Sequence, residues 1–220
     1  MVESDSQPRI LESFFEHRQR FASPWVEQWS GLPNPFIAAL VPPMRAVGVE
    51  LADFSVGGEV KNFGDISFNI AIRKWNAAIR LTLDSIVFVA ANPNWEEAPQ
   101  VVGVFEQASS VVCGLAGATP ASQDSTLWFH VSPGTFDFGK KTAELVRTDA
   151  LGSGDFYGIS VYASDHVTTI DRSLRYEGAA FVRLQRTFAG NTILGDVALQ
   201  LYQDEVAALR LLGIPDVPLN

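Results

Sequence analysis

Alternating apolar and polar residues run through AIRKWNAAIRLTLDSIVFVAANPNW, residues 71–95, and predict β-strands. Two-residue turns at Trp75-Asn76 and Asp84-Ser85 would place the large aliphatic residues of three strands on one side, because side chains alternate along a strand. The pairs expected on that side are Ile72–Ile79, Ile70–Leu81, Phe68–Leu83, Leu83–Ile86 and Leu81–Phe88. The pattern therefore predicts a three-stranded antiparallel meander with one apolar and one mostly polar face.

Helical spacing appears in three other segments. Apolar residues of 8–22 recur at helical intervals and predict an N-terminal amphipathic helix. Residues 94–117 and 192–213 each predict a helix that follows a strand hairpin and covers the apolar face. The apolar stripes of these two helices are Ala98, Val102, Phe105, Val112 and Leu115, and Leu194, Val197, Leu201, Ala208 and Leu211. Residues 23–45 hold five prolines and two tryptophans, and they predict a packed connector with only short helical turns.

A second unit resembles the first at an offset of 93 residues. Residues 173–182, SLRYEGAAFV, align with residues 80–89, RLTLDSIVFV, and a helix follows each stretch. We therefore predict an α+β fold, with an antiparallel sheet built from two tandem hairpin-helix units and helices packed on one face. Two unrelated units in one domain would produce the same pattern. The predicted divisions are 1–45 for the N-terminal helix and connector, 46–120 for the first unit and 121–220 for the second.

Composition and charge limit the function classes. The 220 residues are 47% hydrophobic and carry a net charge of −9, with both signs spread along the chain. A core of this size needs no disulfide or metal, and the single cysteine, Cys113, cannot form an internal disulfide. No Lys/Arg cluster supports nucleic-acid binding. The acidic start of the chain and the lack of an apolar run of 18 residues predict a cytoplasmic protein without membrane contact.

Candidate catalytic chemistry is sparse in this sequence. Three histidines, His17, His130 and His166, show no metal-binding spacing such as HExxH. Either His130 or His166 with a carboxylate such as Asp165 would support a hydrolase or lyase. No GxSxG motif occurs, and GSGDFYG at 152–158 lacks the Lys-Ser/Thr of a phosphate-binding loop. The sequence predicts no metal and no cofactor.

Two arginines of the second hairpin form the first candidate site. If Glu177-Gly178 is a two-residue turn, Leu174 faces Phe181 and Arg172 faces Arg183. Opposed like charges are unfavourable unless an anion lies between them. Asp165 or Asp137 could supply that anion internally. The pair otherwise predicts a site for an anionic ligand or an acidic partner segment.

Trp75 at a hairpin tip is the second candidate. A tryptophan exposed there is costly unless the connector or a partner covers it. Arg73 and Arg80 lie on the polar side of the same meander. We therefore predict a non-enzymatic binding or assembly protein whose sheet face or edge contacts a protein partner or a second copy. An apolar or anionic ligand in a cavity between sheet and helices is the alternative.

Overall fold

The structure is a computed structural model that describes residues 8–29, 35–57, 66–132, 134, 137, 139–140 and 158–214. The fold is α+β, with a large antiparallel sheet and, among the described residues, three helices of eleven or more residues. The strands are β1 Arg9–Arg20, β2 Phe54–Gly57, β3 Ser67–Ile72, β4 Ala77–Leu81, β5 Ser85–Ala91, β6 Ser122–Ser132, β7 Ile159–Tyr162, β8 His166–Arg172 and β9 Ala180–Ala189. The α-helices are the four-residue α1 Val26–Trp29, then α2 Pro35–Arg45, α3 Ala98–Ala116 and α4 Leu194–Leu211.

The strands of the described residues form a nine-stranded sheet in the order β2-β3-β4-β5-β1-β6-β9-β8-β7. The pairs β2–β3, β3–β4, β4–β5, β7–β8 and β8–β9 are antiparallel. The strand that begins the described chain therefore lies inside the sheet, between β5 and β6.

The predicted meander β3-β4-β5 is present, and its faces are as predicted. Ile70, Ile79 and Phe88 lie opposite one another in neighbouring strands, and all three are fully buried. The register is shifted by two residues from the predicted one, because the first connection takes four residues, 73–76, and the second turn lies at Leu83-Asp84, one residue earlier than predicted. A 3₁₀ turn at Arg73–Trp75 precedes Asn76, which has a left-handed backbone with φ of 47°. A shift of two keeps every side chain on its predicted face.

The predicted N-terminal helix is wrong, since residues 9–20 form β1. Apolar residues occur on both faces of this central strand. Phe14 stacks on Trp128 on one side, while Phe15 packs against the core on the other. A strand with apolar residues on both faces does not alternate, and its spacing then resembles that of a helix.

The connector contains a longer helix than predicted. α2 has eleven residues and includes Pro42 and Pro43, although each proline lacks a donor for the helical ladder. Phe36, Leu40 and Met44 recur every four residues along it and are fully buried. We attribute the helix to the packing of this stripe, because tertiary contacts routinely override intrinsic propensity.

Helices α3 and α4 occur where the sequence predicted them, with corrections at their C-terminal ends. α3 ends at Ala116 and is capped by Gly117, whose left-handed φ of 62° suits glycine. Leu115 and Leu211 were assigned to the buried stripes, but they are 38% and 56% exposed. Near the end of α4 the buried residues are Ala208 and Leu209, and Leu212 just after the helix is also buried. The sequence also predicts a loop and a short helix near 140–148, a segment that lies mostly outside the described residues.

The predicted two-residue turn at Glu177-Gly178 is wrong. β8 pairs with β9 so that Arg172 lies opposite Ala180, and the connection extends from Ser173 to Ala179. Leu174 is 90% exposed, whereas its proposed counterpart Leu81 is fully buried. The residue-by-residue alignment of 173–182 with 80–89 therefore fails at this position.

Contacts within the chain define two compact units. Unit 1 comprises residues 1–14, 126–186 and 199–220, and unit 2 comprises residues 15–125 and 187–198. In unit 2 the buried residues of α2, α3 and the meander belong to one hydrophobic core. The predicted boundaries follow chain order, whereas these units interleave along the sequence. Within the described residues, no helix is both long and apolar enough to span a membrane.

Candidate binding face

Arg172 and Arg183 do not oppose each other, which corrects the predicted pair. Arg172 lies opposite Ala180, and Arg183 lies opposite Thr169. The observed register differs from the predicted one by three residues, an odd number, so one strand presents the other face. Arg183 consequently shares a face with Phe181, while Arg172 lies on the side of the buried Ala180.

The other predicted site residues lie in unit 2 and have intramolecular partners. Trp75 is only 7% exposed and belongs to the core that also contains connector residues. The exposed Arg73 donates from Nε to Asp53 Oδ1 over 2.6 Å. Arg80 donates from Nε to Asn69 Oδ1 over 3.0 Å. The structure thus places Arg80 opposite Asn69, whereas the predicted register places it opposite Ala71, and it does not bring Trp75, Arg73 and Arg80 together.

An aromatic cluster that the sequence analysis did not identify occupies one side of the sheet in unit 1. Its members, Phe14, Trp128, His130, Tyr176 and Phe181, are named here the aromatic face. Phe14 stacks on Trp128 with centroids 5.5 Å apart, and Phe181 lies 6.2 Å from Trp128 and 5.1 Å from His130. His130 also meets the edge of Tyr176 at 5.2 Å. Aromatic pairs in such offset and edge geometries stabilise beyond the area they bury.

Strand alternation places the aromatic face opposite the buried side of unit 1. On β6, Leu127, Phe129 and Val131 are buried, so Trp128 and His130 point the other way. On β9, Arg186 points to the buried side and contacts Asp204 of α4. Helix α4 therefore covers the buried side, and the aromatic face lies on the other.

His130 is held firmly within the aromatic face. Its side chain is among the buried polar groups, with 8% exposure, and its Nδ1 lies 2.9 Å from Ser173 Oγ. Burial lowers the pKa of His130, with a smaller lowering by Arg175 and a raising by Glu12. The imidazole is consequently neutral near pH 7.

Glu12 of β1 anchors the loop that follows β8. Both of its carboxylate oxygens accept from Arg175 Nη1, over 2.7 and 2.6 Å, and Tyr176 donates its hydroxyl over 3.3 Å. The Arg175 guanidinium also lies 5.6 Å from the Tyr176 ring centroid. These contacts hold the Tyr176 ring in the aromatic face, next to His130.

Arg183 gives the aromatic face an uncompensated positive charge. It is exposed and forms no ion pair with any described residue. Its closest acidic neighbour on the face by register is Asp171, which lies opposite Phe181 and is therefore diagonal to Arg183. Asp171 Oδ1 accepts the backbone N–H of Arg172 over 2.7 Å, and no ion pair joins Asp171 to Arg183 among the described residues, so the guanidinium can take another anion.

A separate polar network is buried in unit 2. His17 Nδ1 lies 2.7 Å from Ser125 Oγ, and Nε2 lies 3.0 Å from Gln123 Oε1. Gln19 reaches Gln123 and accepts from Ser109 Oγ over 2.6 Å. Burial lowers the pKa of His17 to about 4, partly offset by the bond to Gln123. This histidine was expected on the predicted N-terminal helix, yet it lies on β1 and is fully buried.

Arg186 ties α4 to β9 in unit 1. Its Nε and Nη2 donate to the two Asp204 oxygens over 2.8 and 2.9 Å, and the two side chains are 10% and 14% exposed. Nη1 contacts Asp165, whose other partner is His166. A bidentate pair of this kind depends on both partners, because removal of one leaves the other as a nearly buried charge without a counterion.

Replacement of Arg186 by methionine is expected to lower the free energy of unfolding by about 2 to 4 kcal/mol. The double variant Arg186→Met/Asp204→Leu is expected to recover part of that loss, because no buried carboxylate remains. Urea unfolding of the wild type and both variants measures the difference. A single variant as stable as the wild type would contradict the role assigned to the pair.

Of the two histidines considered for a His–carboxylate pair, His166 has a carboxylate partner and His130 does not. His166 Nδ1 lies 2.9 Å from Asp165 Oδ1, which lowers the pKa of that carboxyl through the hydrogen bond and, secondarily, through Arg186. His130 bonds to a serine, and Glu12 is engaged elsewhere. In the part of the chain that the structure describes, no group of three or more His, Cys, Asp or Glu side chains could hold a metal ion.

A groove of about 400 Å³ lies in unit 2, lined by residues 22–27 and by Ala116, Ala118 and Thr119. It is an open surface groove, unlike the enclosed cavity between sheet and helices predicted for a small-molecule binder. The rings of Phe88 and Phe105 stack 4.4 Å apart within the core itself.

No family model and no curated protein matches the sequence. Among solved structures, Methanococcus jannaschii TBP is similar at 12% identity over 92% of this chain and 99% of that chain, with a TM-score of 0.30. A similarity at this score supports no conclusion about fold or function.

Proposed function

We propose that this chain is a non-enzymatic binding protein whose aromatic face contacts an acidic segment of another protein, one that also carries apolar side chains. The observation that carries the proposal is the cluster of Phe14, Trp128 and Phe181 on the side of the sheet opposite α4. These rings are half-buried instead of fully enclosed, so they offer apolar surface to a partner.

The composition of the face supports a protein partner. Trp, Tyr, Phe and Arg are enriched at protein interfaces and account for most of the residues with large effects on affinity. The rings are held by one another, and Tyr176 is held by Glu12. A partner would therefore lose little entropy in ordering them, which favours affinity.

The charge of the face supports an acidic segment. Arg183 has no ion-pair partner among the described residues and shares the face with Phe181. Glu12 is already neutralised by Arg175. A carboxylate from a partner would thus meet a free guanidinium, a pair that also steers association.

We also propose that the sheet arose by internal duplication. Outward from its centre, one arm runs β1-β5-β4-β3-β2 and the other β6-β9-β8-β7. In each arm a helix follows the second strand from the centre of the sheet: α3 follows β5, and α4 follows β9. The matching strand order supports the repeat, although the residue alignment first predicted for it fails at Leu174.

Two pairs of matched variants test the proposed face. Trp128→Ala and Arg183→Glu change it, whereas Leu199→Ala and Arg172→Glu change exposed residues of unit 1 on α4 and on the other side of the sheet. We expect a partner bound at a fixed stoichiometry to lose at least tenfold in affinity with the first pair and to be unaffected by the second. Calorimetric titration with the purified partner, after thermal unfolding has shown that each variant is folded, measures this.

The proposal fails if the partner binds Trp128→Ala and the wild type equally. It fails also if sedimentation shows that Trp128 mediates a dimer, because the occupant of the face would then be a second copy of this chain.

A further inference from the structure

The hydroxyl of Ser173 has its acceptor capacity filled by the backbone. Ser173 Oγ accepts the N–H of Arg175 over 3.1 Å and the N–H of Tyr176 over 2.8 Å. A serine oxygen has two lone pairs and one proton. The proton is therefore the group left for its third neighbour, Nδ1 of His130 at 2.9 Å.

This bonding pattern determines the tautomer of His130. Because Ser173 donates to Nδ1, that nitrogen accepts, and the proton of the neutral ring resides on Nε2. Burial lowers the pKa of His130 and keeps the ring neutral near pH 7. Nε2 has no hydrogen-bond partner among the described residues. In the described chain, the nitrogens that are fully enclosed and lack a partner belong to Arg18, Trp25, Trp29 and Trp75. Nε2 of His130 is not among them.

We infer that the Nε2–H of His130 is a fixed hydrogen-bond donor that binds a carboxylate oxygen of the segment held at the aromatic face, with Ser173 as the positioning residue. The inference rests on the proposed function and adds the group that the site recognises. Trp128 and Phe181 flank the imidazole and would receive the apolar part of the same side chain or its neighbour.

A carboxylate suits this position better than a neutral carbonyl. The free guanidinium of Arg183 lies on the same face, and a carboxylate has two oxygens with which to accept from separate donors. A ligand that covers the Nε2–H without accepting its hydrogen bond would leave a buried donor unsatisfied, which is costly, so this group discriminates between ligands.

The tautomer is tested first, by ¹⁵N-detected NMR of the full chain labelled at histidine. We expect the Nδ1 of His130 to resonate as an unprotonated imidazole nitrogen and Nε2 as a protonated one. Ser173→Thr, which retains the hydroxyl, is expected to preserve this pattern, and Ser173→Ala to yield a mixture of tautomers. A wild-type ring protonated on Nδ1 would overturn the inference, whatever the folding of the variants.

The ligand class is tested with phenylacetate and phenylacetamide, which share a ring and differ in the acceptor group. We expect phenylacetate to shift the His130 Nε2 and Trp128 indole signals with a Kd on the order of 1 mM, at least fivefold tighter than phenylacetamide. Ser173→Ala is expected to remove that preference and Ser173→Thr to restore it.

Equal binding of the two probes, or no shift at His130, would overturn the assignment of a carboxylate. A failure of the proposed function would give a different result. The Trp128→Ala variant would then bind the protein partner as tightly as the wild type, while the His130 tautomer and the preference for phenylacetate remained as expected.

Discussion

Replacement of Phe88 by alanine is expected to lower the free energy of unfolding by about 3 to 5 kcal/mol. The ring is fully buried on β5, stacks on Phe105 of α3 at 4.4 Å and lies 6.1 Å from the His17 ring. Its removal therefore leaves a cavity between a helix and two strands that the neighbouring rings cannot fill without breaking the His17 hydrogen bonds. Urea unfolding followed by circular dichroism measures the loss.

Val89→Ala is the matched control for this prediction. Val89 is the next residue of the same strand, points to the other side of the sheet and is half-buried. We expect it to cost about 1 kcal/mol or less, since few atoms are removed from a partly solvated position. Similar losses for both variants would show that the core of unit 2 does not lie beneath α3.

Acidification from pH 7 to pH 4 is expected to lower the free energy of unfolding by about 3 kcal/mol through His17 alone. The pKa of this histidine is about 4 in the folded chain against an ordinary value of 6.5, because burial disfavours the charged ring. Between those two values the unfolded chain binds a proton that the folded chain does not. Stability is therefore fully present above pH 6.5 and falls as the pH approaches 4.

His17→Gln separates this contribution from that of other groups. Glutamine keeps a donor and an acceptor for Ser125 and Gln123 but has no proton to gain. We expect the variant to lose the additional pH dependence between pH 6.5 and 4, while the dependence due to carboxylates and His130 remains. Urea unfolding at half-unit pH intervals checks the difference. Parallel curves for the two proteins would contradict the assignment.

In β3-β4-β5 the sequence predicts strand phase correctly and strand register incorrectly. Its alternation determines which side chains are buried, because the other phase would expose the whole apolar set. The first connection takes four residues instead of two, and the second turn lies at Leu83-Asp84, one residue before the predicted position, because Thr82 bonds Ser85. Local spacing does not determine how many residues a turn consumes.

Interior strands and the candidate site were harder to foresee. β1 has apolar residues on both faces, and so its pattern resembled that of a helix. The aromatic face combines residue 14 with residues 128, 176 and 181, whose proximity depends on the order of strands far apart in the chain. One feature of the sequence indicates the aromatic face, namely the alternation along residues 127–131. The buried Leu127 and Phe129 flank Trp128, so the tryptophan points to the opposite side of the sheet.

The interleaving of the two units has a consequence for synthesis on the ribosome. Unit 2 needs residues 187–198 and unit 1 needs residues 199–220, yet each also includes residues from the first 20 of the chain. Unit 2 is therefore incomplete until residue 198 has left the exit tunnel, and unit 1 is incomplete until residues beyond 198 have done so. Nascent chains halted before residue 187 should consequently be more protease-sensitive in both units than longer chains.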